Sequence, residues 1–260
     1  MINAPLRGLL KRTVRLCGYD VHRFDPVRYE PYDQQNVMEG RIVRCIIDGT
    51  EVYFFVADQE DIIQREHLHR RFYEQEELEI IRHAFRGGVF LDVGANVGNH
   101  TLFAAMYLGA SRVISVEPNP IAYGILRVNV GLNRQHDKIT LYPVGLSDDR
   151  CRASIDIPSH NLGGGMLAPG AADARIEVFT GDELLSGSTI DFIKIDTEGM
   201  ELNVIRGLAN TIRRDHPNMF VEVEDKNVDA FLQLMRTFGY TIKKRYRRYN
   251  SNENFLAVPE

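Results

Sequence analysis

The stretch Val89-Phe-Leu-Asp-Val-Gly-Ala-Asn-Val-Gly98 decides the fold. Val89 to Val93 reads as a buried strand that runs straight into Gly-x-x-x-Gly, with a helix expected from Asn99 to Leu108. Glycine lacks a Cβ and tolerates positive φ, so a turn this tight at the carboxyl end of a first strand lets a ligand approach the backbone. Taken alone, Gly94 and Gly98 suit plain helix-on-sheet packing as well. Glu117, one strand later at the end of Val113-Ile-Ser-Val-Glu117, tips the balance. A carboxylate at that strand tip accepts hydrogen bonds from both hydroxyls of a ribose.

The nucleoside can be narrowed by charge. A dinucleotide fingerprint wants Gly-x-Gly-x-x-Gly, with a helix N-terminus facing a pyrophosphate. Counting from Gly94, the second and third glycine positions hold Asn96 and Asn99, and Asn96 would intrude on a pyrophosphate. Asp92, just before the turn, suits a cation better than a polyphosphate. S-adenosylmethionine (SAM) carries a sulfonium, an ammonium and no phosphate. Charge therefore favours SAM over NAD.

Outward from the turn, apolar runs alternate with helical patterns, which implies an α/β domain with a parallel sheet. Strands are expected at Val113–Val116, Ile139–Pro143, Ile190–Ile195 and Met219–Val223, with a closing antiparallel pair at Tyr240–Arg248 and Asn254–Val258. Asn119-Pro120 caps a helix with Ile121, Ile125, Val128 and Leu132 on one face. Another helix starts near Met200. A last one carries Val228, Phe231, Leu232, Met235 and Phe238 and ends at Gly239. Residues 1–85 read as an accessory cap, and residues 86–260 as the main domain. The cap holds a hairpin at about 42–56 around Asp48-Gly49, where both turn residues accept positive φ, and a helix at about 61–85 with Leu78, Ile81 and Phe85 on one stripe.

With 260 residues, the chain fits one large domain or one domain plus an appendage. Its 31 Lys and Arg against 36 Asp and Glu leave a net charge of −5, which argues against an unspecific nucleic-acid binder. No stretch approaches the roughly 18 uncharged apolar residues of a membrane span. The N-terminus lacks the apolar core and cleavage site of a secretory signal. Cys17, Cys45 and Cys151 match neither Cys-x-x-Cys nor a metal-knuckle spacing, as expected of free thiols in the cytoplasm.

Several motifs then appear in order: Asp92-Val-Gly-Ala-Asn-Val-Gly-Asn-His-Thr101, Glu117-Pro118, Gly145-Leu-Ser-Asp148, Asn161-Leu-Gly-Gly164 and Ile190-Asp-Phe-Ile-Lys-Ile-Asp-Thr-Glu-Gly199. Glu201 and Val204-Ile-Arg-Gly207 follow, and Phe72-Tyr-Glu74 lies upstream. From about Phe72 to Val258 the chain resembles the FkbM family of SAM-dependent methyltransferases. The glycine turn is shared by many methyltransferases, whereas Ile-Lys-Ile-Asp-Thr-Glu-Gly is far more specific. One departure is Gly181, where family members usually carry leucine. The resemblance implies a class I, Rossmann-like, mostly parallel sheet of seven strands with helices on both faces. It implies a SAM site in which Asp92, Gly94, Ala95, Asn96 and Gly98 surround the methionine part, Glu117 holds the ribose, and Ser147 and Asp148 lie near the adenine. The activity it implies is methyl transfer to oxygen, often on a sugar or secondary metabolite.

Methyl transfer from a sulfonium is an in-line displacement, so alignment supplies much of the catalysis. An alcohol acceptor must also lose its proton, which a side-chain base or a metal assists. Asp196 ends the fourth strand, where open α/β sheets place ligands, Glu198 follows in the turn, and Lys194 lies two residues back on the same face. Asp196 or Glu198 is expected to accept or polarise the acceptor hydroxyl. Lys194 could simply neutralise one of these carboxylates. Glu222 and Glu224 on the fifth strand read slightly better as structural acids. Two carboxylates could hold Mg²⁺, but a third convincing ligand is missing, so no metal is assigned.

Other signals read as bland. His67 and His69 diverge on a helix. Ser159-His160-Asn161 and the glycines after it suit either a lid or a surface loop. Arg7, Lys11, Arg12 and Arg15, interleaved with Leu6, Leu10 and Val14, fit a solvated or packed helix better than a membrane-surface one. Lys243, Lys244, Arg245, Arg247 and Arg248, with Tyr246 and Tyr249, fit the solvated face of a strand better than an RNA contact. The expected partner is a small-molecule or glycan acceptor, with no nucleic acid and no transmembrane segment; oligomeric state is left open. An RNA or protein methyltransferase and a SAM-binding module without catalysis stand as alternatives.

Overall fold

Residues 38–170 and 174–260 are described by the structure, a computed structural model; the basic N-terminal stripe and Cys17 lie outside them. A hairpin of β1 (Arg41–Ile47) and β2 (Thr50–Val56) leads into α1 (Ile62–Leu68) and α2 (Gln75–Ala84). The alternating part begins with β3 (Val89–Val93), α3 (Asn99–Tyr107), β4 (Arg112–Val116), α4 (Pro120–Leu132) and β5 (Ile139–Tyr142). Four short strands follow: β6 (Gly145–Ser147), β7 (Cys151–Asp156), β8 (Met166–Pro169) and β9 (Ile176–Thr180). Then come α5 (Gly181–Leu184), β10 (Phe192–Ile195), α6 (Glu201–Gly207) and α7 (Ala209–Asp215). The chain closes with β11 (Asn218–Glu224), α8 (Val228–Thr237), β12 (Tyr240–Tyr246) and β13 (Asn252–Pro259).

Seven strands form the main sheet in the order β12-β13-β11-β10-β3-β4-β5. β5, β4, β3, β10 and β11 run parallel, and β13 pairs antiparallel with both β11 and β12. β10 is buried at every position and β3 and β4 at all but their first, as expected of parallel strands covered on both faces. Chain order reverses direction at β3, with β4 on one side and β10 on the other. Ligands of open α/β sheets bind at the carboxyl ends beside such a switch point. Beneath it, Phe90 and Phe192 stack with ring centroids 5.1 Å apart, and Phe85 meets both edge-on.

Each strand and helix expected from the periodicity of the main sheet is present, with two differences of detail. The helical stretch after Asp61 is two helices. Asp61 caps the first through the backbone N–H groups of Ile63 and Gln64, and Arg70 and Glu74 then adopt left-handed backbone that turns the chain between them. Phe72 fills the gap, meeting Phe54, Phe103 and Tyr107 edge-on. In α4, Asn119 caps as expected, but Ile121 is 50% exposed while Ile125, Leu126, Asn129 and Val130 are buried. The helix is covered by the hairpin as well as the sheet, so its buried arc is wider than one stripe.

Asn129 and Asn133 fasten that hairpin. The Asn129 Oδ1 accepts from the Phe55 N–H at 2.6 Å while its Nδ2 donates to the Val97 carbonyl at 2.7 Å. Asn133 pairs with both backbone groups of Tyr53. Two amides thus stand in for a neighbouring strand, and residues 39–260 form one compact unit. The small sheet β6-β9-β7-β8 was not foreseen. Its strands are three to six residues long and lack the alternation that longer strands display. At the Gly181 departure, Leu208 occupies the space that a Cβ would need.

Replacing Asn129 with leucine keeps the volume but leaves a buried N–H and a buried carbonyl without partners. Loss of about 2–4 kcal/mol is expected in urea unfolding; a change within about 0.5 kcal/mol would show that these bonds do not fasten the hairpin.

Candidate functional site

The carboxyl ends of β3, β4, β10 and β11 open into a cleft of about 290 Å³. Its floor is the glycine turn. Gly94 has φ +77°, and a Cβ there would overlap the carbonyl oxygen of Asp196, so the end of β10 approaches too closely for any other residue. The Gly94 and Ala95 N–H groups both donate to the Val116 carbonyl, at 3.0 and 3.1 Å. Asn96, also left-handed at φ +49°, donates its N–H to Glu117 Oε2 at 2.7 Å. Asn119 N–H donates to the other oxygen, Oε1, at 2.7 Å. Each Glu117 oxygen keeps a further lone pair for a ligand hydroxyl. Burial raises the Glu117 carboxyl to about 7, although those two N–H groups pull the other way.

Lys194 is 4% exposed, and its Nζ donates to the Gly94 carbonyl at 3.1 Å. It also lies 3.4 Å from Asp196 Oδ2 and 3.6 Å from Asp92 Oδ1. Burial works against its charge, but Asp196, Asp92, Glu74 and Glu222 outweigh that and raise its pKa. Glu198, left-handed at φ +47°, is raised to about 7 by burial and then by the negative charge of Asp196.

Of the site residues expected from sequence, Gly94, Ala95, Asn96, Glu117, Lys194, Asp196 and Glu198 line this one cleft. Four do not. Asp92 is fully buried beneath the turn, accepting from Thr101 Oγ1 at 2.6 Å and paired with Lys194, so the cation beside it is the chain's own. Gly98 starts α3 at φ +96°, and a Cβ there would come within 2.7 Å of Leu126 Cδ1, so its bare backbone makes room for helix packing. Ser147 and Asp148 turn away with β6, where Ser147 Oγ and Asn203 Nδ2 donate to Asp148 Oδ1 at 3.0 and 2.8 Å. Val144, Gly145 and Leu146, just before them, line the cleft instead.

Three further acid or imidazole side chains line the cleft: Glu222, which reads from sequence as a structural acid, and Glu74 and His100, to which the sequence assigns no role. Glu222 lines the cleft with Asn252 Nδ2 donating to its Oε1 at 2.9 Å; burial raises its pKa, aided by the charges of Asp196 and Glu74. Glu74 enters from the α1–α2 connection in left-handed backbone, and burial, then Asp196, raises it to about 8. His100 Nε2, 3.8 Å from Glu74 Oε2, is buried without a hydrogen-bond partner, and burial holds its pKa well below the usual imidazole value. The only sequence signals were membership of Glu74 and His100 in the quoted motifs and the shared strand face of Glu222. Glu74, Asn96 and Glu198 thus place three non-glycine left-handed residues in one cleft, each at a cost of about 1 kcal/mol or more. Such strain gathers where function holds a backbone in place.

The glycine-rich loop is a lid, not a free surface loop. Leu162 N–H donates to Asp61 Oδ2 and Asn119 Nδ2 donates to the Leu162 carbonyl, both at 3.0 Å. His160 is an exposed partner of Asp58. His67 is buried against the Phe54 ring, 4.0 Å between centroids, and His69 is exposed, so the pair shares nothing. Among the described residues no group of three or more His, Cys, Asp or Glu is placed to hold a metal. No helix there is long and apolar enough to cross a membrane. Cys45 and Cys151 are free.

The family model for the methyltransferase FkbM domain matches residues 92–242, more than half of the chain. This chain belongs to the FkbM methyltransferase family. It is 26% identical over 137 residues to the hexuronic acid methyltransferase AglP of Haloferax volcanii, covering 52% of this chain and 55% of that protein. It is 23% identical over 153 residues to methyltransferase sdnD of Sordaria araneosa, covering 45% and 59%. The chain therefore spans less than two thirds of either relative's length. Among solved structures, the FkbM methyltransferase from Methylobacillus flagellatus KT matches with a TM-score of 0.51 at 20% identity, over 77% of this chain and 56% of that one. That likeness supports the class I methyltransferase fold of the FkbM domain.

The raised Glu74 carboxyl fixes a pH effect. In the folded chain it keeps its proton up to about pH 8, whereas an unfolded glutamate releases it near about 4.3. The folded state binds more protons between those values, so this group's contribution to stability is full at lower pH and is lost as pH rises toward 8. The stability of wild type relative to Glu74→Gln should fall between about pH 5 and about pH 8.5 in urea unfolding. A constant difference would place Glu74 in an environment like water.

Proposed function

We propose that the chain is a SAM-dependent O-methyltransferase acting on a hydroxyl of a sugar, glycan or other hydroxylated metabolite. The observation that carries this reading is the acid-lined cleft itself, with Glu117 braced by two backbone N–H groups at the tip of β4 and Asp196 held by Lys194 at the tip of β10. The residues present fit SAM. Glu117 has lone pairs left for two ribose hydroxyls, the bare backbone at Gly94 allows close approach, and Asn96 Oδ1 is buried with no partner, an acceptor waiting for a donor. Carboxylates around a cleft favour a sulfonium and an ammonium over a pyrophosphate.

SAM, when bound, supplies an electrophilic methyl group on its sulfonium. The chain's own part is placement and proton handling. Glu117 and the turn fix the nucleoside, and the loop at Leu162–Gly163 lines the same cleft. Asp196, oriented by Lys194, accepts the proton of the acceptor hydroxyl as its oxygen bonds to carbon. Glu198 adds a second acid beside it. A sugar acceptor draws support from the relative that is named for a hexuronic acid. The RNA reading loses support because Arg245 in β12 and Arg247 and Arg248 just after it are bound to Glu253, Asp225, Glu76 and Glu77.

Glu117→Ala is expected to weaken SAM binding about tenfold or more in calorimetry, the usual loss for hydrogen bonds to a charged group; unchanged affinity would remove it from the ribose. Under saturating SAM, Asp196→Asn should lower methyl transfer by about 100-fold or more. Wild-type turnover in both Asp196→Asn and Glu198→Gln would take these carboxylates out of the chemistry. Tight SAM binding with no transfer to any acceptor would favour a binding module.

A further inference from the structure

The acids of the cleft are not equally provided for. Glu117 is held by two backbone N–H groups, Asp196 by Lys194, and Glu222 by the Asn252 amide. Glu74 is different. It occupies the N-cap position of α2, where a side chain ordinarily accepts from the first N–H groups of the helix, yet its carboxyl makes no capping bond. Its backbone is left-handed at φ +56°, and the residue lines the cleft instead.

Its neighbour across the cleft is His100. The Nε2 of His100 is buried with no hydrogen-bond partner among the described residues, and it lies 3.8 Å from Glu74 Oε2. That spacing is too long for a hydrogen bond, but one oxygen atom can sit within hydrogen-bond reach of both. The residues next door fix the juxtaposition. Asn99 Oδ1 accepts from the Tyr73 N–H at 2.9 Å, and Asn99 Nδ2 donates to the Tyr73 carbonyl at 3.1 Å. This clasp locks the start of α3 to the α1–α2 connection, one residue away from each member of the pair. Asp196 is close by: after burial, its charge is the largest influence on the Glu74 carboxyl.

Resting on the methyltransferase reading, we propose that Glu74 and His100 are an acceptor-binding pair, and that a second hydroxyl of the acceptor, next to the one methylated, bridges Oε2 and Nε2. The acceptor is then a vicinal diol or polyol. A hydroxyl both donates and accepts through one oxygen. Burial keeps the proton on Glu74 up to about pH 8, so its carboxyl can donate. Burial also keeps the His100 imidazole neutral, and with its proton on Nδ1 the Nε2 accepts. A hydroxyl completes that line by accepting from the acid and donating to the ring. An ether or ketone oxygen cannot donate, and a C–H group does neither, which leaves Nε2 desolvated and unpaired. With the neighbouring oxygen anchored, the reacting hydroxyl is held beside Asp196 in the alignment that in-line transfer needs.

The test uses the full chain and SAM labelled in its methyl group. The probes are methyl hexosides with their monodeoxy analogues, and a small-molecule cell extract. Half of the extract is treated with periodate, which cleaves vicinal diols, and is then quenched with excess ethylene glycol. In whichever probe takes label, loss of the neighbouring hydroxyl, by deoxygenation or by periodate, should cut the rate about tenfold or more. Glu74→Ala and His100→Leu should each raise the acceptor KM about tenfold or more, with SAM affinity unchanged in calorimetry. Glu74→Gln keeps a donor and should recover most of what Glu74→Ala loses. Equal labelling of the deoxy analogues, transfer that survives periodate, or an unchanged acceptor KM in both variants would overturn the inference and leave the transferase reading standing. The first two outcomes are read in the wild-type chain and decide the matter even where a variant fails to fold. No label in any hexoside or extract, with SAM bound, would overturn both.

Discussion

A buried ammonium among carboxylates governs this cleft. Lys194 sits in register beside Asp92 on the neighbouring strand, so their pairing joins β10 to β3 at the switch point of the sheet. The same Nζ holds the Gly94 carbonyl and Asp196, and thereby sets the turn and the strand tip as one unit. Removing one partner of such a buried pair costs about 3–5 kcal/mol, because the other is left uncompensated. Once Lys194 has been shared among Asp92, Asp196 and Gly94, the other acids of the cleft have no Lys or Arg within ion-pair distance among the described residues. Their balance is left to whatever binds.

That imbalance explains why Glu74, Glu117, Glu198 and Glu222 all hold protons above the usual carboxylate range. Burial raises each of them, and for Glu74, Glu198 and Glu222 the charge of Asp196 adds to it. Pre-assembling acids in a low-dielectric site opposes folding, as does the left-handed backbone at Glu74, Asn96 and Glu198. Both features persist because the surrounding sheet, the capped helices and the tied lid hold them. A ligand bringing positive charge relieves the first of these costs.

The sheet was legible because its parallel strands are nearly continuous apolar runs and its helices carry a cap or a closing glycine. The position of Glu117 in the cleft was legible for a similar reason, since the tip of the strand after a glycine turn faces the carboxyl-end crevice of such a sheet. Asp92 and Gly98 belong to the same motif yet do not reach the cleft. The motif is contiguous in sequence, but at Asp92 the pleat sends the side chain to Thr101 and Lys194, and Gly98 meets Leu126. Glu74, His100 and Glu222 come from three elements brought together only by tertiary packing. No spacing along the chain could have grouped them. The small sheet at 145–180 was hidden for a different reason: short strands bounded by glycines show no period.

The most direct measurement is calorimetric titration of the full chain with SAM near pH 7, repeated in buffers of different ionisation enthalpy. A cationic ligand settling among partly protonated carboxyls must expel protons, so SAM should bind with net proton release. Binding without proton release, or uptake of NAD in place of SAM, would contradict the account.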